Sequence, residues 1–438
     1  MIRIDPYLLI RAASLYLTVT ATILLWVWRR PTSRAVAGAA LACCWNLPIV
    51  LGLNIAASHE GWWRFDARGG LLAGTPVDLD LSWILLWGAI PALAFPSRPL
   101  WRVLVIALAV DLVLMPAAAP VVRLGPTWLV GEGIGIAVAL MPAQLLARWT
   151  TRDQHLEGRA LLQIIAFTGL LLFVLPVSVI EASQSSWVNP TTRAAWQVCI
   201  LVQLLVLPAL IGLTAVQEFV TRGGGTPVPF DPPRRLVTTG VYAYIGNPMQ
   251  LAAVILLVLL GLVVWNPWLA AAGVMAHLYS AGLAGWDESK DLQRRFGDAW
   301  AEYQRGVPRW VPRLRPWHRP DHPPARLYVS AGCNMCRDVA GWFERRDVRQ
   351  LAIVPAETHP SQTLRRITYE PADGSRSDSG IEAVARALEH VHLGWALLGF
   401  LLRLPAVRQL AQLLADASGA EPRTISSATH LPASNRPG

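Results

Sequence analysis

Charged residues are scarce in this chain. Asp, Glu, Lys and Arg make up 15% of its 438 residues, whereas roughly a quarter is usual in a soluble domain. The hydrophobic residues, 53% of the total, are concentrated in blocks of about 20, the length that crosses a bilayer as an α-helix. This composition excludes an ordinary soluble protein and predicts a polytopic α-helical membrane protein.

Cysteines are also few, which excludes a small secreted protein held together by disulfides. Of the five, Cys43, Cys44 and Cys199 lie in apolar blocks, where a cysteine behaves as a small hydrophobic residue. Cys333 and Cys336 lie in polar sequence at a C-x-x-C spacing. The N-terminus has no small-residue cleavage site after a short apolar core, so we expect the first block to be retained as a span.

Nine blocks are candidate spans, and each requires helical backbone to satisfy its own polar groups in lipid. They cover approximately residues 7–28, 35–56, 80–96, 100–120, 127–147, 160–181, 196–217, 248–265 and 267–286. Two acidic residues, Asp111 and Glu132, fall inside these blocks. A carboxylate within the bilayer usually faces a cavity or a partner; the alternative is that each lies near an interface.

Arginines are distributed unevenly among the loops between these blocks. They are concentrated after the first, third, fifth and seventh spans, as in Arg29, Arg98, Arg148 and Arg222. Because basic loops remain in the cytoplasm, we expect the N-terminus outside and the C-terminal domain cytoplasmic, in a bacterial-type inner or plasma membrane. The net charge of +9 follows from these loops and suits anionic lipid, so we predict no nucleic-acid partner.

A glycine- and proline-rich loop, 223–249, follows the seventh span. Irregular backbone beside a bilayer is tolerated where it packs into protein or lines a cavity. Tyr242, Tyr244 and Asn247 in this loop suit a pocket for a flat, polar, charged cofactor, and tyrosine faces suit a sulfonium cation. An ordinary solvated loop is the alternative.

Two blocks around the last predicted hairpin carry a family pattern. The first is Gly240-x-Tyr242-x-Tyr244-x-x-Asn247-Pro248-Met249. The second contains Glu288, Leu292, Phe296-Gly297, Trp300, Tyr303 and Val307-Pro308-Arg309-Trp310-Val311-Pro312. In this order they resemble the isoprenylcysteine carboxyl methyltransferase and phospholipid methyltransferase group, over about residues 195–313.

The resemblance implies transfer of a methyl group from S-adenosylmethionine, bound on the cytoplasmic side, to a membrane lipid or a prenylated or isoprenoid-derived acceptor. Glu288 and Asn247 would then be catalytic, with Glu288 near the acceptor or the polar end of the cofactor. Positioning does most of the work in methyl transfer, because the sulfonium is already a good leaving group. The residues that the resemblance assigns to the cofactor pocket are Tyr242, Tyr244, Asn247, Pro248, Met249 and Glu288.

Three positions depart from the family pattern. Gly246 replaces an arginine, Gln250 replaces an aromatic residue, and Ser289 replaces a second glutamate. These departures leave open a changed substrate or a chain that binds without catalysing. Membrane reductases of sterol type, which use NADPH, share a related C-terminal arrangement and are a further alternative. The sequence has no G-x-G-x-x-G after a strand, which argues against a soluble nucleotide-binding fold.

Residues 326–330 are predicted to form a strand, and Cys333 and Cys336 to begin the helix that follows. A helix N-terminus stabilises a thiolate and lowers its pKa, so Cys333 is the expected nucleophile of disulfide exchange, aided by Arg337. A metal half-site is the alternative, but no second C-x-x-C or paired histidine spacing accompanies it. We therefore predict no metal, and we expect His390 and its neighbour at 392 to be solvated.

This C-terminal region, about 326–421, resembles the DCC-type thiol–disulfide oxidoreductases, small thioredoxin-like proteins with a D-x-x-C-x-x-C motif in which Ser330 here replaces the aspartate. The resemblance implies a thioredoxin-like α/β domain, catalytic Cys333 and Cys336, and a protein thiol as partner. The predicted parts of the chain are N-terminal membrane spans of unassigned role (1–194), a methyltransferase-like membrane core (195–313), a Pro-rich linker (314–325), the thioredoxin-like domain (326–423) and a disordered tail (424–438).

Two functions from different classes therefore compete: a membrane methyltransferase, and a thiol–disulfide oxidoreductase that the membrane part merely tethers. The first makes two spatial predictions. The last hairpin should bring the loop ending at Pro248 next to Glu288. Removal of 326–438 should leave cofactor binding largely unchanged, because the thiol domain is expected to contribute no residue to the pocket.

Overall fold

The structure is a computed structural model, and it describes residues 5–185, 194–228, 231–319, 322–360 and 364–423. These residues are mostly helical, with small sheets. The predicted disordered tail lies outside the described residues.

The helices follow the apolar blocks of the sequence. In chain order they are α1 (Pro6–Arg29), α2 (Ser33–Glu60), α3 (Val77–Trp87), α4 (Ala89–Ala94), α5 (Leu100–Ala117), α6 (Trp128–Gly135), α7 (Met141–Arg152), α8 (Leu156–Gly169), α9 (Leu175–Ala182), α10 (Ala195–Glu218), α11 (Pro248–Val263), α12 (Pro267–Tyr279), α13 (Gly285–Phe296), α14 (Asp298–Gly306), α15 (Asn334–Glu344), α16 (Ile381–Leu388), α17 (Leu393–Arg403) and α18 (Pro405–Ala415). Short π-helical segments continue some of them; Ser280–Ala284, for example, joins α12 to α13.

Seven helical stretches within the described residues are long and apolar enough to cross a membrane. They are Pro6–Arg29, Ser33–Glu60, Val77–Ala94, Leu100–Ala117, Trp128–Arg152, Leu156–Ala182 and Ala195–Gly223. Helices α17 and α18, which meet at 92°, make an eighth if they are counted as one broken span. Lengths and compositions of this kind are those of an integral membrane protein.

The count of nine spans is where the structure differs from the sequence prediction. The last two predicted spans correspond to α11, with 16 residues, and α12, with 13, and neither is among the seven long stretches. The apolar run of the ninth block extends beyond α12 into a π-helical segment and then into the polar helix α13. An apolar run is therefore longer here than the regular helix that it forms.

The chain divides into two compact units, of which the first contains Met1–Thr192, Gly225–Pro232 and Leu260–Ala272. Helix α2 is its centre and packs against α7, α3, α8 and α4. A Cβ atom on Gly38 of α2 would lie 2.6 Å from the carbonyl oxygen of Ala147 on α7. Small residues are what allows membrane helices to approach so closely.

Two short antiparallel strand pairs also lie in the first unit. They are β1 (Trp63–Phe65) with β4 (Val122–Leu124), and β2 (Leu71–Leu72) with β3 (Thr75–Pro76).

The second unit contains Arg193–Gly224, Pro233–Leu259 and Gly273–Gly438. Its core joins α10 and the 3₁₀ turn Gly240–Ala243 to α17, since Tyr244, Ala396 and Phe400 are all buried in one apolar cluster. Helix α17 shares this core with α10 because it presents apolar residues to the turn.

A four-stranded sheet lies in the C-terminal part of the second unit. Its strands are β5 (Ala325–Val329), β6 (Leu351–Pro355), β7 (Thr368–Glu370) and β8 (Asp378–Ser379). The spatial order is β6-β5-β7-β8; β5 and β6 are parallel, and β7 is antiparallel to β5 and to β8. Phe343 of α15 and Ala383 of α16 pack into the core of this sheet. Cys333 and Cys336 therefore lie at the start of the helix that follows the first strand, as predicted.

Candidate functional site

The two blocks that carry the methyltransferase resemblance meet in the second unit. The backbone N–H of Gly246 donates to the carbonyl of Pro308 at 2.9 Å, and that of Asn247 donates to the carbonyl of Arg309 at 3.1 Å. The hydroxyl of Tyr303 donates to the carbonyl of Tyr242 at 2.8 Å. The loop and the second block are therefore in contact, and Glu288 lies close enough for its charge to act on Tyr242.

Within the described part of the chain, four buried polar side-chain atoms of these segments have no hydrogen-bond partner. They are the hydroxyl of Tyr242, Nδ2 of Asn247, Oε1 of Gln250 and Nε of Arg309. A buried polar atom without a partner costs about 1–3 kcal/mol, and each such atom in a folded protein calls for an explanation. Donors and acceptors of this kind are the chemistry that holds a polar ligand.

Glu288 lies beside this group. Its Oε2 is 3.9 Å from Nη2 of Arg309, and its side chain is 44% exposed. Partial loss of water around the carboxyl group raises the pKa of Glu288, and the nearby guanidinium of Arg309 opposes the shift. Burial also raises the pKa of Tyr242 well above its ordinary value, with Tyr303 and Glu288 adding to the effect, so the Tyr242 hydroxyl keeps its proton.

The side chains of three predicted pocket residues, Tyr244, Pro248 and Met249, are engaged in holding the fold together. Tyr244 is fully buried, and its hydroxyl donates to the carbonyl of Glu389 at 2.8 Å, so that hydroxyl is already engaged within the protein. Pro248 is the first residue of α11, a position that tolerates the missing N–H of proline. Met249 packs against the same apolar cluster as Tyr244.

Two of the three departures from the family pattern, Gly246 and Ser289, have identifiable surroundings. A Cβ atom at Gly246 would lie 3.2 Å from Cα of Arg309, so this position adjoins a segment that itself carries a guanidinium. The Ser289 hydroxyl accepts hydrogen bonds from Gln304 Nε2 at 2.9 Å and Trp300 Nε1 at 3.4 Å. Ser289 therefore joins α13 to α14.

An open groove of about 630 Å³ lies along the neighbouring face of α13. Its lining residues are Trp286, Ser289, Lys290, Gln293 and Arg294. The ammonium of Lys290 lies 3.3 Å from the ring centroid of Trp286, which is a cation–π contact. This groove is lined by one helix, whereas the unpaired polar atoms belong to the loop and to the segment after α14.

The C-x-x-C pair forms the second candidate site. Sγ of Cys333 accepts the backbone N–H of Cys336 at 3.4 Å, which places Cys333 at the N-cap of α15. Burial acts to raise the pKa of Cys333, but hydrogen bonds from the thiol and backbone of Cys336 and the charge of Arg423 outweigh it, and the pKa is lowered. Burial and the bond to Cys333 raise the pKa of Cys336 to about 12. The guanidinium of Arg337 is bonded to Asn334.

Glu357 lies beside this site and was missed from the sequence. Its Oε1 accepts the Ser330 hydroxyl at 2.9 Å and the Ala331 N–H at 3.0 Å. Although burial opposes the shift, these and neighbouring hydrogen bonds lower the pKa of Glu357. A carboxylate is therefore held at the loop before Cys333, where Ser330 replaces an acidic residue. Its place 24 positions beyond Cys333 offers no local signal in the sequence.

Glu218 is a further residue that the sequence analysis missed. It ends α10 and is fully buried, with its carboxylate between the guanidinium groups of Arg386 and Arg403. A glutamate at the end of an apolar span indicates a charged partner or a functional site, and this signal is visible in the sequence.

The two acidic residues of the predicted spans, Asp111 and Glu132, and also His390 lie in the protein interior. Asp111 and Glu132 are 0% and 2% exposed, and Oδ2 of Asp111 accepts the indole N–H of Trp87 at 2.6 Å. Both side chains therefore face the protein interior, as expected of carboxylates that face a partner. His390 is buried, not solvated; its Nε2 lies 2.9 Å from the Tyr369 hydroxyl. The solvated interpretation assumed a surface helix, whereas α17 begins only at Leu393.

Comparison with protein-family models, with curated proteins and with solved structures finds no match. Among the described residues, no group of three or more His, Cys, Asp or Glu side chains is placed to hold a metal ion.

Proposed function

We propose that the second unit is a membrane methyltransferase that uses S-adenosylmethionine and acts on a lipid-embedded or isoprenoid-type acceptor. The observation that carries the proposal is the set of four unpaired, buried polar atoms at the junction of the two family-like blocks. The residues present fit such a cofactor, which has a carboxylate, an ammonium, a sulfonium, hydroxyls and a purine. Asn247 and Arg309 offer donors, Gln250 and Glu288 offer acceptors, and the Tyr242 hydroxyl offers both.

S-adenosylmethionine supplies an activated methyl group, so the chain has to bind and orient the reactants. Arg309 and Asn247 suit the carboxylate end, since charge-assisted hydrogen bonds are the stronger ones. Glu288, which is partly exposed beside Arg309, suits a cationic group once it is ionised. Tyr242 remains protonated and acts as a hydrogen-bond donor. Positioning of this kind accounts for large accelerations without acid–base chemistry.

The membrane arrangement is part of the same proposal. The arginine-rich loops after the odd-numbered spans support a cytoplasmic location for the loop 223–249 and for the C-terminal region. The cofactor would then enter from the cytoplasm and the acceptor from the lipid. An inner or plasma membrane of bacterial type fits this orientation.

A second activity, thiol–disulfide exchange, is favoured by the C-x-x-C geometry. The parallel β5-α15-β6 unit, followed by the antiparallel strands β7 and β8 and helix α16, is the arrangement expected of a thioredoxin-like domain. The pKa of Cys333 is lowered and that of Cys336 is raised, which suits an attacking thiolate and a protonated resolving thiol. A protein thiol would be its partner.

Titration calorimetry of the detergent-solubilised full chain tests the methyltransferase proposal. S-adenosylmethionine should bind, and Asn247→Ala and Arg309→Met should each weaken binding at least tenfold, because each loses a donor. Arg305→Met is the matched control, since this exposed arginine donates to the carbonyl of Ala301 on its own helix α14. Failure of the wild-type protein to bind at millimolar S-adenosylmethionine would reject the proposal, and binding of NADPH instead would favour the reductase alternative.

A further inference from the structure

The carboxylate of Glu218, at the end of the membrane helix α10, is neutralised by the C-terminal region. Nη1 of Arg386 lies 2.9 and 2.8 Å from its two oxygens, and Nη2 of Arg403 lies 2.7 Å from Oε2. All three side chains are almost completely buried. A buried charge requires such partners, because its transfer out of water is otherwise very costly.

The ion pairs extend beyond Glu218 into a closed cluster. Arg403 also binds the carboxylate of Glu389, and Arg386 lies 3.2 Å from Asp378. The members of this cluster are the carboxylates Glu218, Asp378 and Glu389 and the guanidinium groups Arg222, Arg386 and Arg403. Three negative and three positive charges leave no net charge, so removal of any one leaves an uncompensated buried ion.

The same cluster holds the turn that carries Tyr242. The hydroxyl of Thr239 donates to Oε1 of Glu218. Gly240 has a φ of +62°, and a Cβ there would lie 2.9 Å from Cδ of Glu218, so the turn lies directly on the carboxylate and requires glycine. At the other end of the turn, the Tyr244 hydroxyl donates to the carbonyl of Glu389.

We propose that Arg386 and Arg403 are positioning residues for the site at Tyr242 and Asn247. They orient Glu218, and Glu218 with Glu389 fixes both ends of the turn between Thr239 and Tyr244. The C-terminal region is then a necessary part of the membrane site and not a tethered module. The effect on S-adenosylmethionine binding rests on the proposed function. The effect on the turn between Thr239 and Tyr244 is independent of it.

Amide hydrogen exchange of the solubilised full chain tests the inference without any ligand. Arg403→Met and Arg386→Met should accelerate exchange in peptides covering 239–247 at least tenfold, while peptides from β5 and β6 remain protected. Arg403→Lys, which keeps the charge, should restore most of the protection. Arg408→Met is the matched control, because Arg408 belongs to the same C-terminal region but pairs with Glu382 on the surface, 40% exposed.

Binding of S-adenosylmethionine to the same variants then separates the two proposals. Weaker binding, by at least tenfold for the Met variants and less for Arg403→Lys, is expected. If the turn exchanges faster but the wild-type protein does not bind, the positioning inference stands and the proposed cofactor is wrong. Unchanged exchange in 239–247 would overturn the inference. Should the Met variants fail to fold, Tyr244→Phe, which removes one hydrogen bond, must still accelerate exchange in the turn; if it does not, the inference is overturned.

Discussion

Tyr242 and Tyr244 are two positions apart in the sequence, and their hydroxyl groups have different surroundings. The hydroxyl of Tyr244 donates to the carbonyl of Glu389, whereas the buried hydroxyl of Tyr242 has no partner among the residues that the structure describes. The family pattern treats both tyrosines as pocket residues. Of these two hydroxyl groups, the one of Tyr242 is therefore assigned to the ligand in the proposed site, and the one of Tyr244 joins the turn to the C-terminal region.

Cys333 should alkylate at a lower pH than Cys336. Its pKa is lowered by the contacts with Cys336 and by the charge of Arg423, so its iodoacetamide rate should reach half its maximum below about pH 8.5, the ordinary thiol value. Arg423→Met should move this midpoint upward. Arg337→Met, the matched control, should move it less, because Arg337 is bonded to Asn334. Equal rates for the two thiols at all pH values would contradict the prediction.

The stacked pair His318 and His390 should make the protein less stable in mild acid. Their rings are parallel with centroids 4.8 Å apart. Burial, together with the charges of His390 and Arg349, lowers the pKa of His318 to about 3. Burial and the charge of Arg386, opposed by a hydrogen bond at Arg349, lower the pKa of His390 to about 4.

Protonation of these two histidines therefore opposes folding. Above about pH 6.5 both histidines are neutral in the folded and the unfolded chain. As the pH falls from 6.5 towards 4, the unfolded chain binds protons that the folded chain does not, so stability declines by up to about 1.4 kcal/mol per pH unit for each histidine. His318→Phe keeps a ring in the stack and should reduce the loss of Tm between pH 7 and 5, whereas His322→Phe, at an exposed position, should not. An identical loss in His318→Phe and the wild type would exclude this account.

At the scale of elements, α2 and α7 depend on a glycine contact. A larger residue at Gly38 must displace the backbone of α7, since its Cβ would lie 2.6 Å from the Ala147 carbonyl oxygen. Gly38→Val should therefore cost about 1–3 kcal/mol, the range of overpacking, seen as a lower Tm in detergent. Gly133→Val in α6 is the matched control, because nothing lies within 4 Å of a Cβ there. Equal losses of Tm in the two variants would show that helix propensity, and not packing, determines the loss of stability.

The elements differ in how well the sequence predicted them. The first seven spans were recognisable, because an unbroken apolar run is sufficient to indicate a membrane helix. The helix after Cys333 was also recognisable from the strand and the C-x-x-C that precede it. The extent of α12 and the start of α17 were not, since a π-helical segment and a break between two helices have no periodic signature.

At the scale of the whole molecule, removal of residues 326–438 should damage the membrane part. The truncation takes Arg386 and Arg403 away from Glu218 and uncovers the apolar residues of α10 and the turn that pack against α17. Loss of one partner from a buried ion pair alone costs about 3–5 kcal/mol. We expect a lower Tm and weaker S-adenosylmethionine binding. Addition of Glu218→Gln to the truncated chain should recover part of the loss, because the uncompensated charge is gone. A truncated chain as stable as the wild type would restore the original expectation of a separable domain.

By itself, the sequence determined the membrane class of this protein, the position of its apolar helices, the order of the two family-like blocks and the place of the thiol pair. Each of these is a local pattern of composition or spacing. Only the tertiary structure decided that Tyr242 and not Tyr244 presents a free hydroxyl, that Glu357 lies at the thiol loop, and that the C-terminal region is joined to α10. Glu218 and Arg403 are 185 positions apart, and a contact between such distant residues is made by packing, which leaves no periodic trace in either segment.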